Sequence, residues 1–178
     1  MSPADASSFE AVVLPHLDAG WSLALHLLRD RADAEDVVQE SVLRALRYRH
    51  TLRDPADARA WFLAIVRREC ASGRASARSR VETIPFDAAP PLQLVDSAAA
   101  PDERAAQRVR AEQVAAAVAA LPERLRDVIV LREAEHCSYE EIAQVMEIPL
   151  GTVMSRLSRA RERLAAALRA HRMEEGGR

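Results

Sequence analysis

The chain has 178 residues, with 25 basic and 27 acidic side chains, and its net charge of −2 excludes a polycation that binds nucleic acid through overall charge alone. All of the basic residues are Arg, aromatic residues make up 4%, and no segment alternates apolar and polar residues as a strand would. The composition therefore predicts an all-α protein. The length allows one or two small domains.

The N-terminal apolar run is interrupted by Pro15, His16, Asp18 and His26. We therefore expect neither a signal peptide nor insertion into a membrane, and we expect a cytoplasmic protein.

A first amphipathic helix is predicted from Asp33, a good helix cap, to about Tyr48. Its buried stripe comprises Ala34, Val38, Val42 and Ala45. A second face, which mixes acidic, amide and apolar side chains, comprises Asp36, Gln39, Glu40 and Leu43. Spacing alone leaves two interpretations of this face open, a solvated surface or a surface for a protein partner.

The next helix has a clear start, because Asp54 is a good cap and Pro55 fits the first helical position. The interior side is predicted to contain Ala58, Trp61, Phe62 and Ile65. The opposite side is predicted to contain Arg59, Leu63, Arg67 and Arg74, with Arg68 beside them. This second side is basic and can follow a phosphate backbone. Trp61 is either a core residue or one whose ring edge also meets an unpaired base.

Residues 81–102 contain no basic side chain and four prolines, which indicates an acidic linker. The helical blocks on either side predict two small domains, residues 1–80 and residues 103–178, joined by a flexible tether.

The stretch from Ser138 to Leu164 has the features of a helix-turn-helix. Ser138 and Glu141 form a capping-box pair at the start of one helix. Pro149 cannot continue that helix, so the chain must turn between Glu147 and Leu150, and a second helix is predicted to start near Gly151.

One face of this second helix is apolar and is predicted to pack inward; it contains Val153, Leu157, Ala160, Leu164 and Leu168. The outer face and its flanks are polar and contain Thr152, Ser155, Arg156, Ser158, Arg159, Arg161, Glu162 and Arg163. Residues 148–172 contain six Arg and one acid, whereas residues 121–147 contain three Arg and seven acids. This placement of charge favours a DNA-reading helix in the major groove over a merely solvated amphipathic helix.

Cys70 and Cys137 are far apart and lack zinc-site spacing, so we interpret them as unpaired thiols. His136 beside Cys137 can supply two metal ligands, but a tetrahedral zinc site needs others from distant segments. A thiol or metal enzyme would need a clustered nucleophile and base, which the sequence does not show. We therefore expect no catalytic residues, no metal and no cofactor.

Three quoted stretches carry a family resemblance: ADAEDVVQESVLRALR from Ala32, RAWFLAIVRR from Arg59, and LPERLRDVIVLREAEHCSYEEIAQVMEIPLGTVMSRLSRARERL from Leu121. In this order they resemble the bacterial RNA polymerase sigma factors of the extracytoplasmic-function group. The resemblance implies a promoter-specificity subunit that binds core RNA polymerase and promoter DNA and is restrained by an anti-sigma factor. The alternative, a stand-alone helix-turn-helix regulator, gives no reason for the first stretch.

The resemblance also implies roles for individual residues. Asp36, Gln39 and Glu40 match an Asp-x-x-Gln-Glu element that binds the clamp helices of the largest polymerase subunit, and Leu43 shares their face. The implied minus-ten contacts, from the loop at residues 50–58 and the helix after it, are Arg53, Asp54, Arg59, Trp61, Arg67 and Arg68. The implied minus-thirty-five contacts are Thr152, Ser155, Arg156, Ser158, Arg159 and Arg161.

Several positions depart from the family pattern. Arg68 stands where Asn is usual, Ser72 where Asp is frequent, and Met154 where a basic residue is common. His136 and Cys137 replace a usual Gly-Leu pair. Glu147 lies in a turn where many relatives have Gly, which costs about 1 kcal/mol if that residue has a positive φ.

Overall fold

A computed structural model describes the backbone of residues 9–78 and 101–176 and the side chains of residues 9–73 and 107–170. The described residues form helices and short connections, without a strand. They build an N-terminal unit, residues 9–78, and a C-terminal unit, residues 101–176. Most of the predicted linker lies outside the described residues, and its last two residues already belong to a helix.

The N-terminal unit consists of three helices that pack against one another. They are α1 (Leu17–Leu28), α2 (Arg31–Tyr48) and α3 (Ala58–Arg78). Short 3₁₀ turns, Arg49–Thr51 and Pro55–Asp57, connect α2 to α3. The core includes Leu23, Leu27, Phe62 and Val66, which are fully buried.

The stretch Phe9–Leu28 is long and apolar enough, with a mean hydropathy of 1.3, to pass a simple test for a membrane span. A 3₁₀ turn, Leu14–His16, divides it. Leu23, Ala24 and Leu27 are buried in the core of the N-terminal unit. The stretch is therefore placed as the core helix of a folded domain.

The start of α2 differs from the prediction. Asp30, rather than Asp33, caps the helix, and its Oδ1 accepts a hydrogen bond from the Asp33 N–H at 2.9 Å. Arg29 adopts a left-handed conformation, with φ 62°, and closes α1 immediately before this cap. Because the turn between the helices is so short, α2 begins earlier than its sequence pattern indicated.

Asp54 caps the turn before α3 as predicted, since its Oδ1 accepts from the Ala56 N–H at 2.9 Å. The prediction that Leu63 lies on the exposed basic side of α3 was wrong, because Leu63 is fully buried. Arg59 and Arg67, one turn to either side of Leu63, both contact the C-terminal unit. Leu63 is therefore covered by a second unit that its local sequence does not reveal.

The C-terminal unit contains α4 (Pro101–Ala120), α5 (Glu123–Glu133), α6 (Tyr139–Met146) and α7 (Leu150–Gly176). Its core is apolar and includes Val128, Leu131, Ile142, Val145, Val153, Leu157 and Ala160. Helices α6 and α7 form the predicted helix-turn-helix.

The capping box is confirmed. Ser138 Oγ accepts from the Glu141 N–H at 3.0 Å, and Glu141 Oε2 accepts from the Ser138 N–H at 2.7 Å. Helix α6 ends at Glu147, which has φ 54° and ψ 47° and donates its N–H to carbonyl oxygens at the end of α6. The positive φ that would favour Gly at this turn is therefore present in the structure.

Candidate nucleic-acid interface

The mixed face of α2 lies at the surface. Asp36, Gln39, Glu40 and Leu43 are all exposed, and Leu43 is 58% exposed. Glu40 Oε1 accepts from Arg44 at 3.0 Å, and Arg44 also pairs with Glu69 at 3.0 Å. An exposed Leu beside fixed acidic groups suits contact with another protein better than contact with DNA.

Trp61 lies half-buried between two clefts. Its Nε1 donates to Thr51 Oγ1 at 3.1 Å, which ties the ring to the connection before α3. The clefts have volumes of about 230 and 250 Å³, and Thr51, Ile65 and Arg68 border both of them. An aromatic ring with an arginine beside it offers stacking and charge to an unpaired base. Arg53 is exposed near one cleft, whereas the Asp54 carboxylate is used as the cap.

Arg59 contacts the C-terminal unit with both terminal nitrogens of its guanidinium group. Nη2 donates to the Glu135 carbonyl oxygen, while Nη1 lies 3.1 Å from Glu141 Oε1 and 3.3 Å from Cys137 Sγ. The Arg59 side chain is 28% exposed, so these bonds are partly shielded from water. Charge-assisted hydrogen bonds of this kind contribute roughly 1.5–3 kcal/mol each.

Arg67 and Arg68 continue the contact along α3. Arg67 Nε donates to the Val145 carbonyl oxygen at 3.2 Å, and its Nη1 lies 3.8 Å from the buried Asp127 carboxylate. Arg68 Nη2 pairs with Glu147, and both side chains are at least half exposed. An exposed pair such as this contributes only about 0–1 kcal/mol.

Two further polar contacts join the units. Ser22 Oγ on α1 donates to Glu135 Oε1 at 2.6 Å, and Gln144 Nε2 on α6 lies 3.4 Å from Asp57 Oδ1. Burial raises the pKa of the Glu135 carboxyl above its usual value, although the Ser22 hydrogen bond opposes this shift. The sequence predicted neither the contact nor Glu135 as a part of it. The signal that was present is the excess of acids over Arg in residues 121–147, which face a basic helix.

Cys137 is fully buried, and burial raises the pKa of its thiol to about 11, although Arg59 opposes this shift. A thiol with this pKa carries little thiolate at neutral pH and is a poor nucleophile. Cys70 is buried as well. In the part of the chain that the structure describes, no three His, Cys, Asp or Glu side chains are placed to hold a metal ion.

The outer face of α7 is open. Val153, Leu157 and Ala160 are buried beneath it, whereas Ser155, Ser158 and Arg159 are exposed. The predicted division of this helix into an apolar inner face and a polar outer face is therefore correct.

The other predicted residues of α7 differ in their freedom. Arg161 Nη2 donates to Glu133 Oε1 on α5 at 2.9 Å, and Arg156 and Thr152 are half-buried. Ser158 Oγ donates to Glu162 Oε1 at 2.9 Å. Arg159 is thus the predicted arginine of α7 that extends most freely into solvent. Met154, 54% exposed, adds an apolar contact to the same surface.

Comparison with known families gives two matches in chain order. Residues 12–80 match the family described as Sigma-70 region 2, and residues 111–164 match Sigma-70, region 4. The RNA polymerase sigma-H factor of Pseudomonas aeruginosa is 34% identical over 173 residues, which cover 92% of this chain and 88% of that protein. The ECF RNA polymerase sigma-E factor of Escherichia coli K12 is 34% identical over 138 residues, covering 73% of this chain and 71% of that protein.

Two solved structures resemble the fold. The sigma factor RpoE of Bartonella quintana, in complex with the anti-sigma factor NepR, has a TM-score of 0.68 and 28% identity. The match covers 91% of this chain and 97% of that one. CnrH, in complex with the cytosolic domain of CnrY, has a TM-score of 0.63 and 26% identity over 93% of this chain and 90% of that one.

Proposed function

We propose that this chain, which belongs to the extracytoplasmic-function group of bacterial RNA polymerase sigma factors, binds core RNA polymerase and directs it to one class of promoters. The observation that carries this proposal is the pair of sigma-70 matches, in order, on units that present an exposed α2 face and an outward helix-turn-helix. A stand-alone regulator is not favoured, because it would not need the first unit.

The work is divided among three surfaces. The α2 face of Asp36, Gln39, Glu40 and Leu43 binds the polymerase. The Trp61 clefts and the α3 arginines receive the minus-ten element as a single strand. The outer face of α7 reads the minus-thirty-five element in the major groove. The chain itself supplies position and specificity, and the polymerase supplies the chemistry of RNA synthesis.

The same membership gives the setting in which the chain acts. Polymerase and promoter DNA are in the bacterial cytoplasm, and we place the chain there. Both similar solved structures are described as complexes with anti-sigma factors or their cytosolic domains. We therefore include an anti-sigma factor among the partners of this chain.

The test reverses the charge of the α2 face with Asp36→Arg and Glu40→Arg. We expect the double variant to lose co-purification with core polymerase and to lose promoter-directed transcription, because two positive side chains would replace the acids of the contact. Both positions are exposed, so unfolding stability should change by less than about 0.5 kcal/mol per site.

The matched control carries Glu10→Arg and Asp18→Arg, which make the same charge change at two exposed positions of the N-terminal unit. It should bind polymerase as the unmodified chain does. Retention of polymerase by the α2 variant at the control's level would show that this face is not the contact.

A further inference from the structure

We propose that the free chain closes on itself: the acidic side of the C-terminal unit occupies the nucleic-acid surface of α3, and core polymerase must separate the two units before minus-ten DNA can bind. The closed state is a property of the described contacts, and its inhibitory meaning rests on the function proposed above. The partner recognised by the basic surface of α3 in the free protein is thus another part of the same chain.

The first argument is the identity of the residues in the contact. Arg59, Arg67 and Arg68 are three of the six side chains expected to meet minus-ten DNA, and each of them contacts the C-terminal unit. Their acceptors there are carboxylate and carbonyl oxygens. These groups offer an arginine the same negative oxygen atoms as a phosphate does, so the acidic side of the C-terminal unit and a DNA strand compete for the same guanidinium groups.

The second argument is the cleft beside Trp61. The larger of the two clefts, about 250 Å³, is bordered by Arg53 and Trp61 on the N-terminal unit and by Gln144 and Glu147 on the C-terminal unit. Gln144 also lies 3.4 Å from Asp57 across the same opening. The end of α6 therefore covers one side of the cleft that a flipped base would enter.

The third argument is the nature of the interface. It contains ion pairs and hydrogen bonds at half-exposed positions, such as Arg59 with Glu141 and Arg68 with Glu147. Interfaces of this polar kind between domains of one chain are those that open and close. The arrangement is thus suited to a reversible closure that a partner with a stronger hold on both units can release.

The fourth argument concerns Glu147. Its backbone has φ 54°, a conformation that favours Gly, so a Glu at this turn carries a backbone cost. Its side chain pairs with Arg68. Both positions depart from the family pattern noted above, and in the structure the two departures contact each other. The pair therefore gives the strained residue a visible role.

The experiment measures closure directly through Cys137. Its Sγ accepts from Arg59 at 3.3 Å, so the thiol faces α3 and is covered by it. Iodoacetamide is added to the purified full-length chain, and the modification at each cysteine is followed by peptide mass spectrometry. Cys70, which lies in the core of the N-terminal unit, reports general unfolding in the same sample.

Glu147→Arg should accelerate alkylation of Cys137 by about 3- to 10-fold, because an exposed ion pair becomes a like-charge pair. The rate at Cys70 should not change. Glu112→Arg makes the same charge change at an exposed position on α4 and should leave both rates unaltered. Adding Arg68→Glu to Glu147→Arg restores an ion pair of opposite sense and should return Cys137 to slow modification.

Glu147→Gly provides a second variant that fits the left-handed turn and removes the side-chain pair without adding charge. It should also accelerate alkylation of Cys137. Equal rates in the unmodified chain, Glu147→Arg and Glu147→Gly would overturn the closed state, as would failure of the reciprocal pair to restore protection.

Addition of core polymerase to the unmodified chain should raise the rate at Cys137 toward that of Glu147→Arg. If polymerase has no effect while the variants respond as expected, the closure stands and release by polymerase is overturned. Because the variants are measured without DNA or polymerase, failure of the closed state and failure of the proposed function give different results.

Discussion

Arg159 is the side chain on which the reading of the minus-thirty-five element depends most strongly. Arg161 is bonded to Glu133 on α5, and Arg156 is half-buried near the turn. Arg159 is exposed, and no ion pair engages it among the residues whose side chains are described. A free guanidinium group on the outer face of a recognition helix can form a bidentate contact with a guanine or a phosphate.

Arg159→Ala should therefore reduce transcription from the cognate promoter by the equivalent of about 1–3 kcal/mol of binding free energy. The promoter is first identified by sequencing transcripts after overexpression, and output is then measured by run-off transcription with core polymerase. Arg169→Ala, at an exposed position farther along the same helix, is the matched control and should have little effect. Equal losses in both variants would mean that α7 contributes only diffuse charge.

At the scale of the elements, the contact between α1 and α3 is set by Gly20. A Cβ atom at this position would lie 2.6 Å from Cε1 of Phe62, whose ring is fully buried. Gly73 on α3, by contrast, has no atom within 4 Å of an added Cβ. The two glycines therefore have opposite roles: one allows two helices to approach closely, and the other only weakens a helix.

Gly20→Ala should lower the free energy of unfolding by about 1–3 kcal/mol, the usual cost of overpacking a core. Gly73→Ala should raise it by up to about 1 kcal/mol, because Ala is the better helix former and meets no obstacle. Urea unfolding followed by circular dichroism measures both changes. Stabilisation by Gly20→Ala would show that α1 and α3 are not held at the described distance.

The elements also show what the sequence could and could not predict. Signals within a few residues, such as the Ser138 capping box and the Asp54 cap, led to correct helix starts. Asp33 was a wrong cap because the left-handed residue that closes α1 has no reliable sequence signal. Leu63 was wrongly placed because its burial depends on a unit distant in the chain. The roles of the predicted site residues remain predictions, although their exposure on α2 and α7 agrees with such roles.

At the scale of the whole molecule, the division into two helical units followed from prolines and acids in the middle of the sequence. The contact between the units did not, since it joins residues about 80 positions apart, such as Arg68 and Glu147. Amphipathic periodicity identifies a face that is buried or exposed, but it does not identify which charged faces meet. Complementary charge on residues 121–147 and on α3 was the available clue, and it carries no geometry.

The closed arrangement leads to a prediction about DNA binding by the free chain. The outer face of α7 is open, whereas the α3 arginines are engaged by the C-terminal unit. The isolated chain should therefore bind promoter duplex weakly, with a dissociation constant of about 1 μM or higher at about 0.15 M salt. This residual binding should weaken when the minus-thirty-five element is changed and should not respond to the minus-ten element.

With core polymerase present, both elements should matter and binding should become tight, because a partner that fixes the spacing of the two units makes the second contact nearly intramolecular. Gel-shift titrations of the isolated chain and of the complex, each with the intact promoter and with either element replaced, measure these effects. A stand-alone regulator would behave oppositely, since its own dimerisation sets the spacing of its half-sites. Nanomolar, sequence-specific binding by the isolated chain that responds to both elements would contradict the closed state and favour the regulator.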